Sequence, residues 1–148
     1  MRNRMCVSAL ALSFLVSLAA LPAAAKSVDG MRAQVPFDFH VGDRLVRAGD
    51  YTVRSMSADE LLLRISGDKG NAATTTNSGQ EKGNGEGRAR LVFHKYGDQY
   101  FLAAVWGSDS NGRTLSESKR ERNLRKELRA ARGGGVAAEM EVVTIDAR

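Results

Sequence analysis

From Met31 to Val41 every odd position carries an apolar side chain, and the even positions include Arg32, Gln34, Asp38 and His40. A repeat of two is the mark of a half-buried strand, because successive side chains leave a β-strand on opposite sides. Pro36 falls on the outward set and has no amide proton for a ladder bond, which predicts an edge strand. Val41-Gly42-Asp43-Arg44 and Ala48-Gly49-Asp50 carry turn chemistry, and Tyr51 to Met56 follows as a strand. After Ser57-Ala58-Asp59, the run Leu61 to Ile65 is long enough for a strand and too short for a helix. Gly67-Asp68-Lys69-Gly70 turns the chain again into a weaker strand, Ala72 to Thr76.

Residues 77 to 87 hold four glycines and no apolar side chain, which predicts a flexible loop with nothing to bury. Beyond it, Arg88 to Tyr96 and Gln99 to Trp106 are β-rich runs separated only by Gly97-Asp98, the signature of a tight hairpin. That turn pairs Phe93 with Leu102, Leu91 with Ala104 and His94 with Phe101, and apolar residues on both faces place the hairpin inside a sheet. Ser118 and Glu121 form a capping box that opens a helix running to about Arg132 and ending at Gly133-Gly134-Gly135. A last strand, Val136 to Ile145, completes the chain. The expected fold is mainly β: a small β-sandwich or partly open β-barrel of about six or seven strands with one surface helix near the C-terminus.

The N-terminal segment follows a different logic. Arg2 and Arg4 precede an apolar run from Val7 to Leu21, followed by Pro22 and Ala23-Ala24-Ala25. This order of basic, apolar and small-residue regions is that of a cleavable signal peptide, with Ala23 and Ala25 at the cleavage site and Lys26 as the first mature residue. The run falls short of the roughly 20 apolar residues of a spanning helix. Residues 1–25 are thus expected to be removed and 26–148 to form a single domain in the periplasm or outside the cell. Cys6 precedes the apolar run, so the mature chain holds no thiol, which excludes disulfides, thiolate catalysis and cysteine-based metal sites.

Charge adds one feature. Without Arg2 and Arg4 the counts are 20 basic and 17 acidic residues, a net of +3, yet residues 117 to 132 alone hold seven basic and three acidic side chains. On a helical wheel Leu124, Leu128 and Ala131 form a thin apolar stripe, flanked by Glu117, Glu121, Glu127 and Arg120. Lys119, Arg122, Arg125, Lys126 and Arg129 fall opposite, suited to contact with an anionic envelope component such as lipid headgroups or an acidic polysaccharide. Nucleic acid is a less fitting partner for an exported chain, and the apolar stripe is too thin for insertion into a bilayer.

No catalytic, cofactor or metal set emerges. Ser116-Glu117-Ser118-Lys119 matches S-x-x-K, but the companion K-T-G is missing and Ser108-Asp109-Ser110-Asn111 is spaced differently from S-D-N. His40 and His94 are the only histidines, whereas a structural zinc site takes four ligands. Asp109-Ser110-Asn111-Gly112 would put Gly107 and Ser118 at the ends of a calcium loop, and neither can serve there. Gly83-Asn84-Gly85-Glu86-Gly87 precedes a strand, where phosphate-binding glycine loops precede a helix. The expectation is therefore a non-enzymatic interaction module without cofactor. The alternative is a carrier whose barrel cavity is lined by Phe37, Phe39, Tyr100 and Trp106.

The stretches Val35 to Gly42, Ala48 to Val53, Leu91 to Leu102 and Glu117 to Glu121 resemble a family of short exported β-rich proteins abundant in acidobacterial-type genomes. The likeness covers most of residues 32 to 127 and is most specific in the hairpin. Arg47 stands where that family usually has proline before Ala-Gly, which implies a less rigid turn, and the glycine-rich loop looks like a local elaboration. The resemblance implies export and a β-rich domain; it implies no catalytic or binding residues.

Overall fold

The alternation that begins at Met31 survives into three dimensions as two strands. The computed structural model describes residues 30–57, 59–80, 87–108, 111–131 and 140–148. Met31, Ala33, Val35, Phe39 and Val41 are all buried, but the chain leaves the ladder at Pro36. Strand β1 (Met31–Val35) pairs in one sheet, and β2 (Phe39–Val41) pairs in another. Pro36 thus marks a corner between sheets, a place where the missing amide costs no ladder bond.

Gly42-Asp43 closes a tight hairpin from β2 to β3 (Arg44–Val46), with Gly42 at φ 60°. Gly49 and Asp50, expected in a turn, already belong to β4 (Gly49–Ser55), where Gly49 pairs with Val35. Asp38 accepts bonds from the Ala48 amide and the Arg47 guanidinium, so the bend that the sequence places at Gly49 sits one or two residues earlier. Strand β5 (Leu62–Gly67) and the long β6 (Gly70–Gln80) follow across the expected 67–70 turn.

Residues 77–80, read as loop, continue β6 and pair with β9 (Asn111–Leu115). Backbone pairing, which needs no apolar side chain, extends the strand beyond its hydrophobic part. Residues 81–86 lie outside the described ones. The hairpin of β7 (Arg90–Tyr96) and β8 (Gln99–Trp106) turns at Gly97-Asp98 with Gly97 at φ 59°. Phe93 faces Leu102 and His94 faces Phe101 as expected, but Leu91 faces Val105 instead of Ala104. The cause is a β-bulge that leaves Ala103 without a partner in the ladder. It resets the alternation so that Val105, fully buried, shares the inner face with Leu91. The helix α1 (Lys119–Ala131) is followed by β10 (Glu141–Asp146), whose Glu141 lies 2.8 Å from Lys95 on β7. The expected helix end at Arg132 and the first residues of the last strand fall in 132–139, outside the described residues.

The described residues form ten strands and one helix. The first sheet runs β1-β4-β5-β6; β6 then crosses into the second, which continues through β9 and β8. One edge of β8 carries β7 and then β10; its other edge carries β9 and, in parallel, β2 with β3. The sheet does not close into a barrel. Two 2.8 Å backbone bonds exchanged by Arg32 and Arg148 join the first sheet to the end of the chain after β10. The strand count exceeds the expected six or seven because Pro36 divides one strand, β3 is too short for a visible alternation, and β9 holds a single apolar side chain, Leu115.

Between the sheets lie Met31, Val35, Tyr51, Val53, Leu63 and Ile65 from the first and Phe39, Val46, Leu91, Phe93, Leu102 and Val105 from the second. Phe39 packs edge-on against Tyr51 and Phe93, with ring centroids 5.4 and 5.3 Å apart. Each such fully buried ring contributes roughly 1.5–3 kcal/mol of apolar burial. Tyr96 and Phe101, also buried, are not part of this core. They sit on the other side of the second sheet, beneath α1.

Candidate functional site

Helix α1 is laid on the second sheet through polar contacts. Its buried residue is Glu121, with Leu124 and Leu128 only partly covered. Ser118 caps it as expected, its hydroxyl oxygen accepting the Glu121 amide at 3.1 Å. The other half of the box differs: instead of returning to the Ser118 amide, the Glu121 carboxylate reaches down to the sheet and lies 2.8 Å from Nδ1 of His94. A second free amide of the first turn, that of Arg120, donates to Asp43 in the β2–β3 turn at 3.1 Å. The Arg120 guanidinium donates to Gln99 at 3.2 Å. The helix is therefore tied at its start to the β2–β3 turn, to β7 and to the first residue of β8.

The floor under the helix is aromatic. His40 stacks on Phe101 at 4.9 Å, Phe101 meets Tyr96 edge-on at 6.0 Å, and Tyr96 meets His94 at 6.5 Å. Both histidines of the chain thus lie in one layer. Burial holds His40 below the usual imidazole range, Arg120 pushes the same way, and Asp43 opposes them. Its Nδ1 has no hydrogen-bond partner among the described residues. Burial, then the charges of Glu121 and Glu117, pushes the Tyr96 hydroxyl up to about 12.

Beside the His94–Glu121 pair opens a cleft of about 250 Å³ whose rim includes Glu117, Arg125, Leu115 and Met140. The residues around it include no serine, threonine or cysteine, and Tyr96 keeps its proton at any ordinary pH. The geometry accounts for the pair as the clamp that fixes the helix. Among the described residues no three histidine, cysteine, aspartate or glutamate side chains converge as metal ligands, and no helix is long and apolar enough to cross a membrane.

The residues expected on a basic face divide. Lys119, Arg122, Lys126 and Arg129 are exposed on the side of α1 away from the sheet and make no ion pair among the described residues. Arg125 bends back instead, donating to Glu117 at 3.1 Å on the rim of the cleft. Of the four aromatics expected to line a cavity, Phe37 stacks on Tyr100 at 3.8 Å and meets Phe93 edge-on at 5.3 Å, and Phe39 is fully buried. Trp106 is half-buried, with Arg90 over its ring. Phe39 belongs to the core between the sheets, and Phe37 and Tyr100 pack against it partly buried. Ala23, Ala25 and Lys26 lie outside the described residues.

Sequence reasoning missed Asp43 and Gln99, whose roles arise only when their turns meet the helix. It also missed a second concentration of charge, Arg32, Arg54 and Arg64, on the outer face of the first sheet. The signal was present in the outward positions of the alternating strands, two or three residues at a time, too sparse to register as a run.

Comparison with protein-family models, with curated proteins and with solved structures finds no match.

Proposed function

We propose that this chain is an exported, non-enzymatic interaction module that engages an anionic component of the envelope through the outer face of α1. The observation that carries the reading is the outward row Lys119, Arg122, Lys126 and Arg129, held on a helix whose opposite side is fixed by Glu121 to His94 and by Arg120 to Asp43. A helix kept soluble by charge needs no sorting of that charge. Here Glu121 is turned inward to fasten the helix and Glu117 takes up Arg125, Glu127 stays exposed, and Lys119, Arg122, Lys126 and Arg129 are left for solvent or a partner. Export rests on the signal-peptide order of residues 1–25, and an exported product whose intact mass begins at Lys26 is its expected outcome.

The test is sedimentation with anionic vesicles and retention on heparin, at low and at physiological salt. Wild type should bind in a salt-sensitive manner, and Arg122→Glu/Lys126→Glu/Arg129→Glu should lose roughly 1 kcal/mol per residue near an anionic membrane. Equal behaviour of the two proteins on both supports would overturn the reading. Retention on heparin without sedimentation would identify an acidic polysaccharide as the partner, and the reverse a lipid surface.

A further inference from the structure

On the far side of the molecule from α1, the outer face of the first sheet forms an open trough of about 1640 Å³. The strand register sorts its charge into rows. Arg54 stands directly opposite Arg64. In the next row Arg32 faces Thr52, Thr52 faces Ser66, and Arg148 joins through its backbone bonds to Arg32. In the third row Gln34 faces Asp50, with Asp68 just beyond the end of β5 and Asp146 two residues before Arg148. Cations thus occupy one end of the trough and, as Arg32 and Arg148, flank the hydroxyls of its middle row, and carboxylates gather at the other end.

This arrangement works against the fold's own electrostatics. Like charges directly opposite each other on neighbouring strands destabilise a sheet. The acids that could neutralise Arg54 lie on the same face but four residues along the strand, about 13 Å at the rise of a β-strand. Among the described residues neither Arg54 nor Arg64 has an ion-pair partner. The planar guanidinium fork suits a carboxylate that it can grip through two parallel bonds. A dense polyanion would meet repulsion at Asp50 and Asp68, and a second copy of the chain would set one trough against another. The ligand that matches both ends carries an anionic oxygen group and a cationic group about 13 Å apart, the length of roughly four extended residues.

We propose that this trough binds a short extended peptide with free termini, its carboxylate between Arg54, Arg64 and Arg32 and its ammonium group at Asp50 and Asp68. The site is independent of the helix face. Titration of the purified protein with tetraalanine, followed by backbone amide shifts, should give a saturable change centred on β4 and β5. N-acetyl-tetraalanine and tetraalanine amide, each lacking one terminal charge, should bind roughly tenfold more weakly, the worth of about one charge-assisted hydrogen bond. Arg54→Gln/Arg64→Gln should weaken tetraalanine binding without lowering the melting temperature, since it removes a like-charge pair from an exposed face. Asp50→Asn/Asp68→Asn should weaken it as well, and Arg122→Glu/Lys126→Glu/Arg129→Glu should leave it unchanged. The proposal is overturned if no saturable shift occurs, if the acetylated peptide binds as well as the free one, or if the arginine variant binds normally. A dimer that dissociates in Arg54→Gln/Arg64→Gln would overturn it in favour of a second copy as the occupant.

Discussion

Nδ1 of His94 lies 2.8 Å from Oε1 of Glu121, joining the middle of β7 to the first turn of α1 across 27 positions of sequence. The Glu121 side chain is 6% exposed and that of His94 33%, so one partner is desolvated and the other is wet. A buried carboxylate is costly without a donor, and losing its donor costs more than the pair contributes. His94→Phe should therefore destabilise by about 1–3 kcal/mol, and His94→Phe/Glu121→Leu by less than the sum of the two single changes. Denaturant midpoints of the four proteins measure the coupling directly. Additive losses would mean that the helix is held by Leu124 and Leu128 instead.

Two glycines should respond in opposite ways to the same substitution. Gly97 needs its positive φ, but a Cβ there would meet nothing within 4 Å. Gly112 has no such φ, yet its Cβ would fall onto the Trp106 ring and lie 2.7 Å from the Val105 carbonyl oxygen. Gly97→Asn should cost little, because asparagine tolerates the left-handed region, whereas Gly97→Ala should cost about 1–2 kcal/mol. Gly112→Asn should be worse than Gly112→Ala, which itself costs roughly 1–3 kcal/mol through overpacking. Thermal midpoints of the four variants decide it; an asparagine that is better tolerated at position 112 than alanine would contradict the packing of Trp106.

The alternation and turn residues made most strands legible, because burial on one face and glycine at a turn leave local marks. Phe93 and Leu102 could be paired from the Gly97-Asp98 turn alone. What local pattern could not show was where a strand changes sheet or register. Pro36 reads as an edge residue and proves to be a corner, and the Ala103 bulge depends on Val105 finding room in the core. The extension of β6 over residues 77–80 rests on a partner strand that carries no apolar signature of its own. The same limit hid the sites. Glu121 reads as a capping residue because its alternative partner, His94, is distant in sequence, and nothing local marks Glu60 as the partner of Arg113 on β9, 2.7 Å away.

Tyr96 should be a late-titrating tyrosine. Burial and the nearby charges of Glu121 and Glu117 raise its hydroxyl to about 12, against 10.0 in an exposed chain. As pH rises through 10 the unfolded chain loses this proton first, so the folded state binds more protons and its stability falls between 10 and about 12. Phenolate absorbance should show a late component that vanishes in Tyr96→Phe. If that variant titrates with the same late component, the hydroxyl is not held beneath Glu121.

His40 sets the opposite dependence at acid pH. It is 6% exposed, stacked on Phe101, and held below its ordinary 6.5 first by burial and then by the Arg120 charge, with Asp43 pulling weakly the other way. The unfolded chain therefore takes up a proton at a higher pH than the folded one. Its contribution to stability is complete above 6.5 and is lost as pH falls from there through the depressed folded value. Phenylalanine at this position would keep the stacking, remove the titration, and remove the buried Nδ1 that lacks a partner among the described residues. His40→Phe should consequently gain about 1 kcal/mol at neutral pH, the lower end of the cost of an unsatisfied polar group, and more under acid conditions. Urea midpoints of the two proteins on either side of pH 6.5 separate these effects. Parallel loss of stability on acidification in wild type and His40→Phe would show that the imidazole takes up its proton without disturbing the layer beneath α1, and would remove His40 as the source of the acid sensitivity.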